Sequence, residues 1–450
     1  MYPLPKAFIA RIKTQMPTES DALIASLDRT VQTSVLLNTK KSSFIFGDEV
    51  VVPWCENGRF LNQRPSFTLD PLFHAGCYYP QESSSMFLHH VLRNLVFEQE
   101  YLLALDLCAA PGGKSIVLSS FLSNNGILIS NEIQKSRNFI LRENLTKWGA
   151  QNTLITCNDS AAFGSIKERF DIVLVDAPCS GEGMFRKNEV ARKEWSIGNT
   201  VMCSNRQKDI LTNAAMAVKS GGYLIYSTCT FAPIENEDVI QWLVDEYNFE
   251  SINIPIDDFP NVRSVDSSRL FGAKFLPHLV QGEGLFMAAL RKPKNVEVIK
   301  RNGRGKNVFT KLTSNEQSVV SKWISSTPYN FFKNSLGDIY ACPLSEVELN
   351  QLSEHLFFMS PGIEIGRMLK NDFIPAHALA LSDLIKSEVQ MIEVNSEDAL
   401  SYLRGETIDT SGYLGWSIVT YRNHPLGWIK CMLSRSNNYY PKQWRIRMKG

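Results

Sequence analysis

The sequence predicts an α/β fold: a parallel sheet covered by helices on both faces, with a small N-terminal α+β domain before it and a C-terminal β-rich module after it. Two observations carry this. From about residue 76 to 292, short apolar runs alternate with segments that are apolar at helical spacing. Strands of a parallel sheet are buried on both faces and read as near-continuous hydrophobic runs. The second observation is where the unusual residues fall. Glycines, acids and cysteines cluster at the ends of the apolar runs, and ligands of open α/β sheets lie beyond the carboxyl ends of the strands.

The elements follow in order. Residues 1–75 form a lead-in domain with a helical segment at Asp21–Leu27, a strand-like TSVLLNT, the run Val50–Pro53 and a turn at ENG, 56–58. Within the central domain, 76–292, strands are predicted at LLALDLC (102–108), GILISNE (126–132), TLITC (153–157), DIVLVDAP (171–178) and YLIYSTC (223–229). Helices are predicted at 134–148 and 204–219, the latter closed by the double glycine at 221–222. A basic, glycine-containing linker spans 293–312, and an intermediate α+β region with a helix in SNEQSVVSKWI spans 313–384. The final module, 385–450, contains GYLGWSIVTYR (412–422), a turn NHPLG (423–427) and WIKCML (428–433).

Composition excludes several classes. Hydrophobic residues make up 44% and charged residues 21% of the 450, ordinary for a globular protein. No apolar run approaches the ~20 residues that span a bilayer, and the N-terminus reads as no signal peptide. The nine cysteines, at 55, 77, 108, 157, 179, 203, 229, 342 and 431, include no CxxC pair. Neither a metal site nor a dithiol redox pair is therefore expected, and free thiols in a reducing cytoplasm are the default. The net charge of +1 gives no global attraction to nucleic acid, but Arg435–Gly450 contains no acid and Lys292–Lys311 only Glu297. Basic blocks of this kind can meet phosphates, or can simply be solvated surface.

Four motifs carry chemistry. In LDLCAAPGGKS (105–115) a strand runs into a glycine turn and a helix, which lets a ligand approach the backbone and meet a helix N-terminus. Cys108 stands where a phosphate-binding P-loop needs glycine, and no GxGxxG is present, so a smaller nucleoside cofactor is the remaining ligand reading, beside a plain tight turn. Glu132 ends the next strand, where an acid can take both ribose hydroxyls of a nucleoside; taken alone, an acid near a helix start is the commoner reading. Asp159 in CNDSAAF could hold an adenine amino group, and alone is more often a helix N-cap. In DAPCSGEGMFRKN (176–188) an aspartate and Cys179 stand at a strand end before a glycine loop, and YSTCTFAPIENED (226–238) puts Cys229 at the end of the fifth strand. Two thiols at neighbouring strand ends suit attack on a pyrimidine. Carbon 5 of cytosine is a poor nucleophile, and a thiolate added at carbon 6 makes it electron-rich, which divides one hard step into easier ones. An acid at N3 would support the ring.

These motifs, in this order and spacing, resemble the RNA (cytosine-5) methyltransferase family, the NOL1/NOP2/Sun group, over roughly residues 20 to 292. The tail, ALSYLRGETI (399–408) and HPLGWIK…NNYYPKQWRIR (424–447), is similar to members acting on bacterial small-subunit ribosomal RNA, the RsmF/YebU type, with a PUA-like RNA-binding module. The resemblance implies a Rossmann-like class I fold dependent on S-adenosylmethionine. It implies Cys229 as nucleophile and Cys179 as the residue that promotes product release. It implies that Cys108, Ala109, Ala110, Pro111, Gly112, Gly113 and Lys114 wrap the methionine end of the cofactor. Glu132 would hold the ribose, Asp159 would lie near the adenine, Asp176 would lie between cofactor and cytosine and touch both, Lys114 would also lie near the base, and Arg137 would brace the cofactor's acid partners. DNA cytosine-5 methyltransferases attack with the cysteine of the Pro-Cys dipeptide, which would make Cys179 the nucleophile; the intact STCT at 227–230 follows the RNA pattern.

Among the remaining residues, Arg435, Lys442, Arg445 and Arg447 are candidates for RNA contact, with Trp444 assigned to the module's core. His278, His89 and His90 are read as structural. The protein is expected to be a cytoplasmic monomer acting on ribosomal RNA or the small subunit, with no metal and no membrane. The rivals are a nucleotide-binding α/β enzyme and a non-catalytic RNA-binding protein; Cys108 counts against the first and the presence of both Cys179 and Cys229 against the second.

Overall fold

The computed structural model describes residues 2–41, 45–265, 267–294, 308–325, 327–370 and 372–448. Residues 295–307 of the predicted linker lie outside the described residues.

The lead-in domain opens with helices Lys6–Gln15 and Ser20–Ser26. It continues as a four-stranded antiparallel sheet in the order Val50–Val52, Cys55–Phe60, Ser34–Leu37, Tyr78–Pro80. The chain reverses at Pro53–Trp54, so ENG, 56–58, lies inside a strand and is not the turn. Gly58 is there for close approach: a Cβ on it would stand 2.7 Å from Met86 Sδ and 2.8 Å from Val52 Cβ.

The central sheet is built from β1 (Leu102–Asp106), β2 (Gly126–Asn131), β3 (Thr153–Thr156), β4 (Phe170–Asp176), β5 (Val218–Thr228) and β6 (Leu285–Arg291). The first five pair in parallel in the order β3-β2-β1-β4-β5, and β6 adds antiparallel to β5. Helices α1 (Gly113–Leu122), α2 (Lys135–Trp148), α3 (Ile197–Ala217) and α4 (Glu237–Tyr247) cover it. Ile172 to Val175 in β4 are fully buried, the two-sided burial that their apolar run predicts. Strand order reverses between β1 and β4, which opens a crevice beyond their carboxyl ends.

Two boundaries differ from the sequence reading. Helix α3 begins at Ile197, before residue 204, because the Ser196 side chain accepts from Asn199 N and so satisfies a free amide of the first turn. It ends at Ala217, and the double glycine belongs to β5, where the register against β4 jumps from Phe170↔Val218 to Ile172↔Tyr223. Gly221 bends the bulged chain through φ 77°.

Residues 308–375 add a five-stranded antiparallel sheet and two helices, Ser314–Val320 and Glu346–Leu352, each started by a capping box. The segment Phe358–Ser360 leaves this region to pair with β3, covering an edge that would otherwise offer unpaired backbone groups. In the last module a parallel pair, Met391–Glu393 with Gly415–Tyr421, is continued antiparallel by His424–Cys431 and Ser436–Asn438. Its turn is Arg422–Asn423, both at positive φ, as a two-residue hairpin requires; His424 to Gly427 lie in the strand and not in the turn. Among the described residues, no helix is long and apolar enough to cross a membrane.

Candidate active site

The site lies at the carboxyl ends of β1, β2, β4 and β5 and has two sides. On the first, the chain leaves β1 through Cys108–Gly112 and enters α1 at Gly113. Gly112 sits at φ 119°, and a Cβ on it would meet Leu141 Cδ1 at 3.2 Å. Helix α2 grips this turn from outside: Arg137 Nη2 donates to Ala110 O (2.6 Å) and Asn144 Nδ2 to Pro111 O (2.8 Å). Arg137 also pairs with Glu132 at 3.0 Å. Glu132 is buried, and its Oε1 accepts from Gln134 N at 2.9 Å. Asp106, fully buried beneath the turn, accepts from Ser115 Oγ at 2.7 Å, and burial pushes its carboxyl up to about 7. Burial also pushes the Cys108 thiol above its usual range, so it is an uncharged lining group. Asp159 is exposed and caps the short helix Ser160–Gly164 by accepting from Ala161 N at 2.9 Å.

On the second side, Asp176 at the end of β4 and Cys229 after β5 are brought together by the parallel pairing Asp176↔Ser227. Cys179 Sγ and Cys229 Sγ stand 3.2 Å apart, and Cys229 N lies 3.3 Å from Cys179 Sγ. Lys114, from the first turn of α1, crosses to Asp176 at 2.9 Å. Asp176 also accepts from Ser227 Oγ at 2.7 Å. Burial opposes the Lys114 charge, but the Asp176 carboxylate outweighs it and holds the ammonium above the usual lysine range. The bond to Cys229, then burial, pushes the Cys179 thiol up.

A cavity of about 390 Å³ joins the two sides, lined among others by Cys108, Ala110, Arg137, Asp176, Cys179 and Cys229. A larger one, about 650 Å³, lies between α2, residues 360–382 and Trp444 and touches none of these groups. The smaller cavity is the candidate site, because of the two it alone gathers titratable groups at strand ends.

The structure also brings in residues that the motifs did not single out. Asn131 donates to Leu107 O and Asn158 O and accepts from Asn158 N, tying together the ends of β1, β2 and β3. Glu182, fully buried, accepts from Arg11 Nη2 (2.6 Å), Trp195 Nε1 (2.8 Å) and Phe231 N (3.0 Å). Gln15 Nε2 reaches Phe231 O at 3.0 Å, so the first helix of the chain buttresses the Cys229 loop. Glu235, also fully buried, accepts from Ser180 N, Ser180 Oγ and Gln207 Nε2. SGEG and IENE show that an acid lies near each loop, but not which acid turns inward.

Arg435, Lys442 and Arg447 are exposed on the last module, away from the cavity. Arg445 is half-buried against Gly405, where a Cβ would collide with its guanidinium at 2.3 Å. Trp444 packs at the edge of the module's core and under Lys147. His278 lies 3.4 Å from Glu19, His89 4.0 Å from Glu56, and His90 bonds Pro255 O. Among the described residues, no group of three His, Cys, Asp or Glu could hold a metal ion.

The residues present fit a nucleoside cofactor that carries an amino acid. The turn at Gly112 has no room for side chains, Glu132 ends the neighbouring strand, and the open crevice lies between them. Fold and site together define a class I S-adenosylmethionine-dependent methyltransferase. Residues 95–291 match the 16S rRNA methyltransferase RsmB/F family, residues 4–83 the N-terminal domain of 16S rRNA methyltransferase RsmF, and residues 389–446 the methyltransferase RsmF PUA domain. The chain is 30% identical to ribosomal RNA small subunit methyltransferase F of Vibrio campbellii, over 98% of this chain and 97% of that protein. It is 31% identical to the Vibrio cholerae protein of the same name over the same shares. A methyltransferase homolog protein from Pyrococcus horikoshii, 27% identical, superposes with a TM-score of 0.52 over 64% of this chain and 95% of that one. The chain belongs to the ribosomal RNA small subunit methyltransferase F family.

Proposed function

We propose that the protein methylates carbon 5 of cytosine in small-subunit ribosomal RNA, with Cys229 as nucleophile and Cys179 assisting release. The observation that carries this reading is the pair of thiols 3.2 Å apart in the lining of a cavity that Asp176, the partner of Lys114, also lines. S-adenosylmethionine, when bound, supplies an electrophilic methyl group. Cys229 Sγ adds to C6 and forms a C–S bond, and the ring electrons move to C5, which becomes the nucleophile. Asp176 accepts from the base's exocyclic amine and holds the Lys114 ammonium beside the ring, where it offsets the negative charge that develops at N3. After C5 is methylated its proton is lost to solvent, the electron pair re-forms the C5–C6 double bond, the C–S bond breaks and Cys229 departs as thiolate. Cys179 stands within reach to exchange a proton with it. Cys108–Lys114, Glu132 and Arg137 hold the cofactor, Asp159 lies near its adenine, and Arg435, Lys442, Arg445 and Arg447 meet RNA on the last module. The same reading makes the protein a cytoplasmic monomer.

The test is methyl transfer from labelled S-adenosylmethionine to small-subunit RNA or subunits. Wild type should make 5-methylcytosine, Cys229→Ala none, and Cys179→Ala a trapped protein–RNA adduct. A Cys229→Ala protein that traps the adduct would reverse the two roles.

A further inference from the structure

Two thiols with the same intrinsic chemistry stand 3.2 Å apart, and their roles require one to be a thiolate while the other keeps its proton. Two like charges at that distance cannot both form cheaply, so the first ionisation belongs to the pair and the surroundings decide where it falls. Those surroundings are unequal. On the Cys229 side lies the Lys114 ammonium, which feels both Asp176 and Cys229. On the Cys179 side lies Glu235. Ser180, the residue after Cys179, gives Glu235 its N–H (2.9 Å) and its hydroxyl (2.5 Å). Gln207 Nε2 bonds both Glu235 and Pro178 O, each at 3.0 Å, closing the other flank of the Pro178–Ser180 segment. Thr230, the residue after Cys229, meets Ser180 Oγ at 2.9 Å, so the two loops are locked to one carboxylate.

Every one of these donors is neutral, and among the described residues no cation pairs with Glu235. One carboxylate oxygen takes two N–H groups and the other the Ser180 hydroxyl, and these donors oppose the upward push of burial on the carboxyl. When ionised, its charge is held by these dipoles alone, bonded to the residue that follows Cys179. The titratable groups packed against Cys179 are Cys229 and Glu235, with Tyr226 behind them; across the cavity stand Cys108, Asp176, Glu194 and Arg137, and that one cation is paired with Glu132.

We propose that Glu235 assigns the two thiols their separate roles: bonded to the loop of Cys179, it keeps that thiol as the proton-carrying partner and leaves Cys229, on the Lys114 side, as the attacking group. Glu235 is thus a positioning residue acting through Cys179, and the inference rests on the reading of Cys229 as nucleophile. Iodoacetamide labelling of the RNA-free protein, resolved by peptide mass spectrometry across pH, tests it. In wild type Cys229 should be alkylated first, with a preference over Cys179 of about tenfold, equivalent to one pKa unit. Glu235→Gln keeps a hydrogen-bonding amide but removes the charge, and should bring the two rates to within about threefold. Glu235→Asp should restore the preference. Equal labelling of both thiols in wild type, which needs no variant, overturns the proposal, and so does an unchanged ratio in a folded Glu235→Gln protein. Because the labelling uses no RNA, it is independent of the transfer assay. Methyl transfer by Cys229→Ala would sink the functional reading whatever the labelling shows.

Discussion

The two sides of the active site are built in opposite ways. The cofactor side is local: the turn after β1, the acid after β2 and helix α2 lie within 45 residues of one another, and its ion pair Arg137–Glu132 leaves Arg137 45% exposed. The thiol side is long-range and braced by buried carboxylates: Cys179 and Cys229 are 50 residues apart in sequence, and Glu182, under the Cys229 loop, is partnered by Arg11 across 171 residues. A local turn keeps its shape from backbone geometry and a few caps. A geometry made by buried carboxylates depends on the whole fold being closed around it, because a buried charge that loses a partner is costly. Distant substitutions should therefore damage the chemistry more readily than cofactor binding.

Among substitutions that leave both thiols in place, the largest effect expected is at Lys114, which stands between the two sides. Lys114→Ala removes the partner of Asp176 and the cation facing Cys229, and transfer should fall roughly 10²–10³-fold, the range for a preorganised charge. Cofactor affinity, measured by calorimetry, should change far less. Equal losses in both would show that the two sides are not separable.

Next comes the N-terminal buttress. Arg11→Ala leaves Glu182 buried with only its neutral donors. Breaking a buried pair costs 3–5 kcal/mol at full burial; Arg11 is 23% exposed, so about 3 kcal/mol of unfolding free energy is expected. Arg137→Ala, on the cofactor side, also strands a buried carboxylate, Glu132, but Arg137 is 45% exposed, so a smaller loss, about 1 kcal/mol, is expected. Denaturant unfolding of the two variants side by side tests the contrast, and equal losses would break it.

This asymmetry also explains how much could be read in advance. Strand ends and turns of the cofactor side are legible because period, glycines and acids are all local signals. The adjacency of Cys179 and Cys229 was legible too, since both end apolar runs that had to be neighbouring strands. Glu182, Glu235, Arg11 and Gln15 were not, because nothing in IENE tells which acid turns inward: Glu237 and Asp238 occupy the first turn of α4 while Glu235 is drawn under the thiol loops. The ENG and NHPLG turns were misread for a related reason. Gly58 is selected by Met86 and Val52, which are distant in sequence or across a hairpin, and the true reversal at Arg422–Asn423 contains no glycine.

Asp106 gives a pH test of the cofactor side. Burial raises its folded-state value to about 7 from the ordinary 3.8. The folded protein thus binds this proton more tightly than the unfolded chain. Its contribution is fully present below the unfolded value and is lost as pH rises toward and through 7. Asp106→Asn keeps an acceptor for Ser115 and has no charge to form. The stability difference between variant and wild type should therefore grow in the variant's favour by on the order of 2 kcal/mol from pH 4 to pH 8. A flat difference across that range would mean that Asp106 keeps its ordinary value under the turn.

A small effect at Asp159 separates two roles for one carboxylate. The structure shows a helix cap: Asp159 accepts from Ala161 N at the start of Ser160–Gly164 and is otherwise exposed. Family resemblance adds a role at the cofactor's adenine. A cap is worth about 1 kcal/mol, and serine serves it nearly as well as aspartate. Asp159→Ala should lose that stability whichever role matters, whereas Asp159→Ser should keep it. If the carboxylate also meets the adenine, Asp159→Ser weakens binding of S-adenosylmethionine severalfold while unfolding stays as in wild type, since a hydroxyl one atom shorter still caps the helix but no longer reaches the ligand. If both variants bind the cofactor as wild type does, Asp159 is a cap and nothing more, and the cofactor side rests on the turn, Glu132 and Arg137.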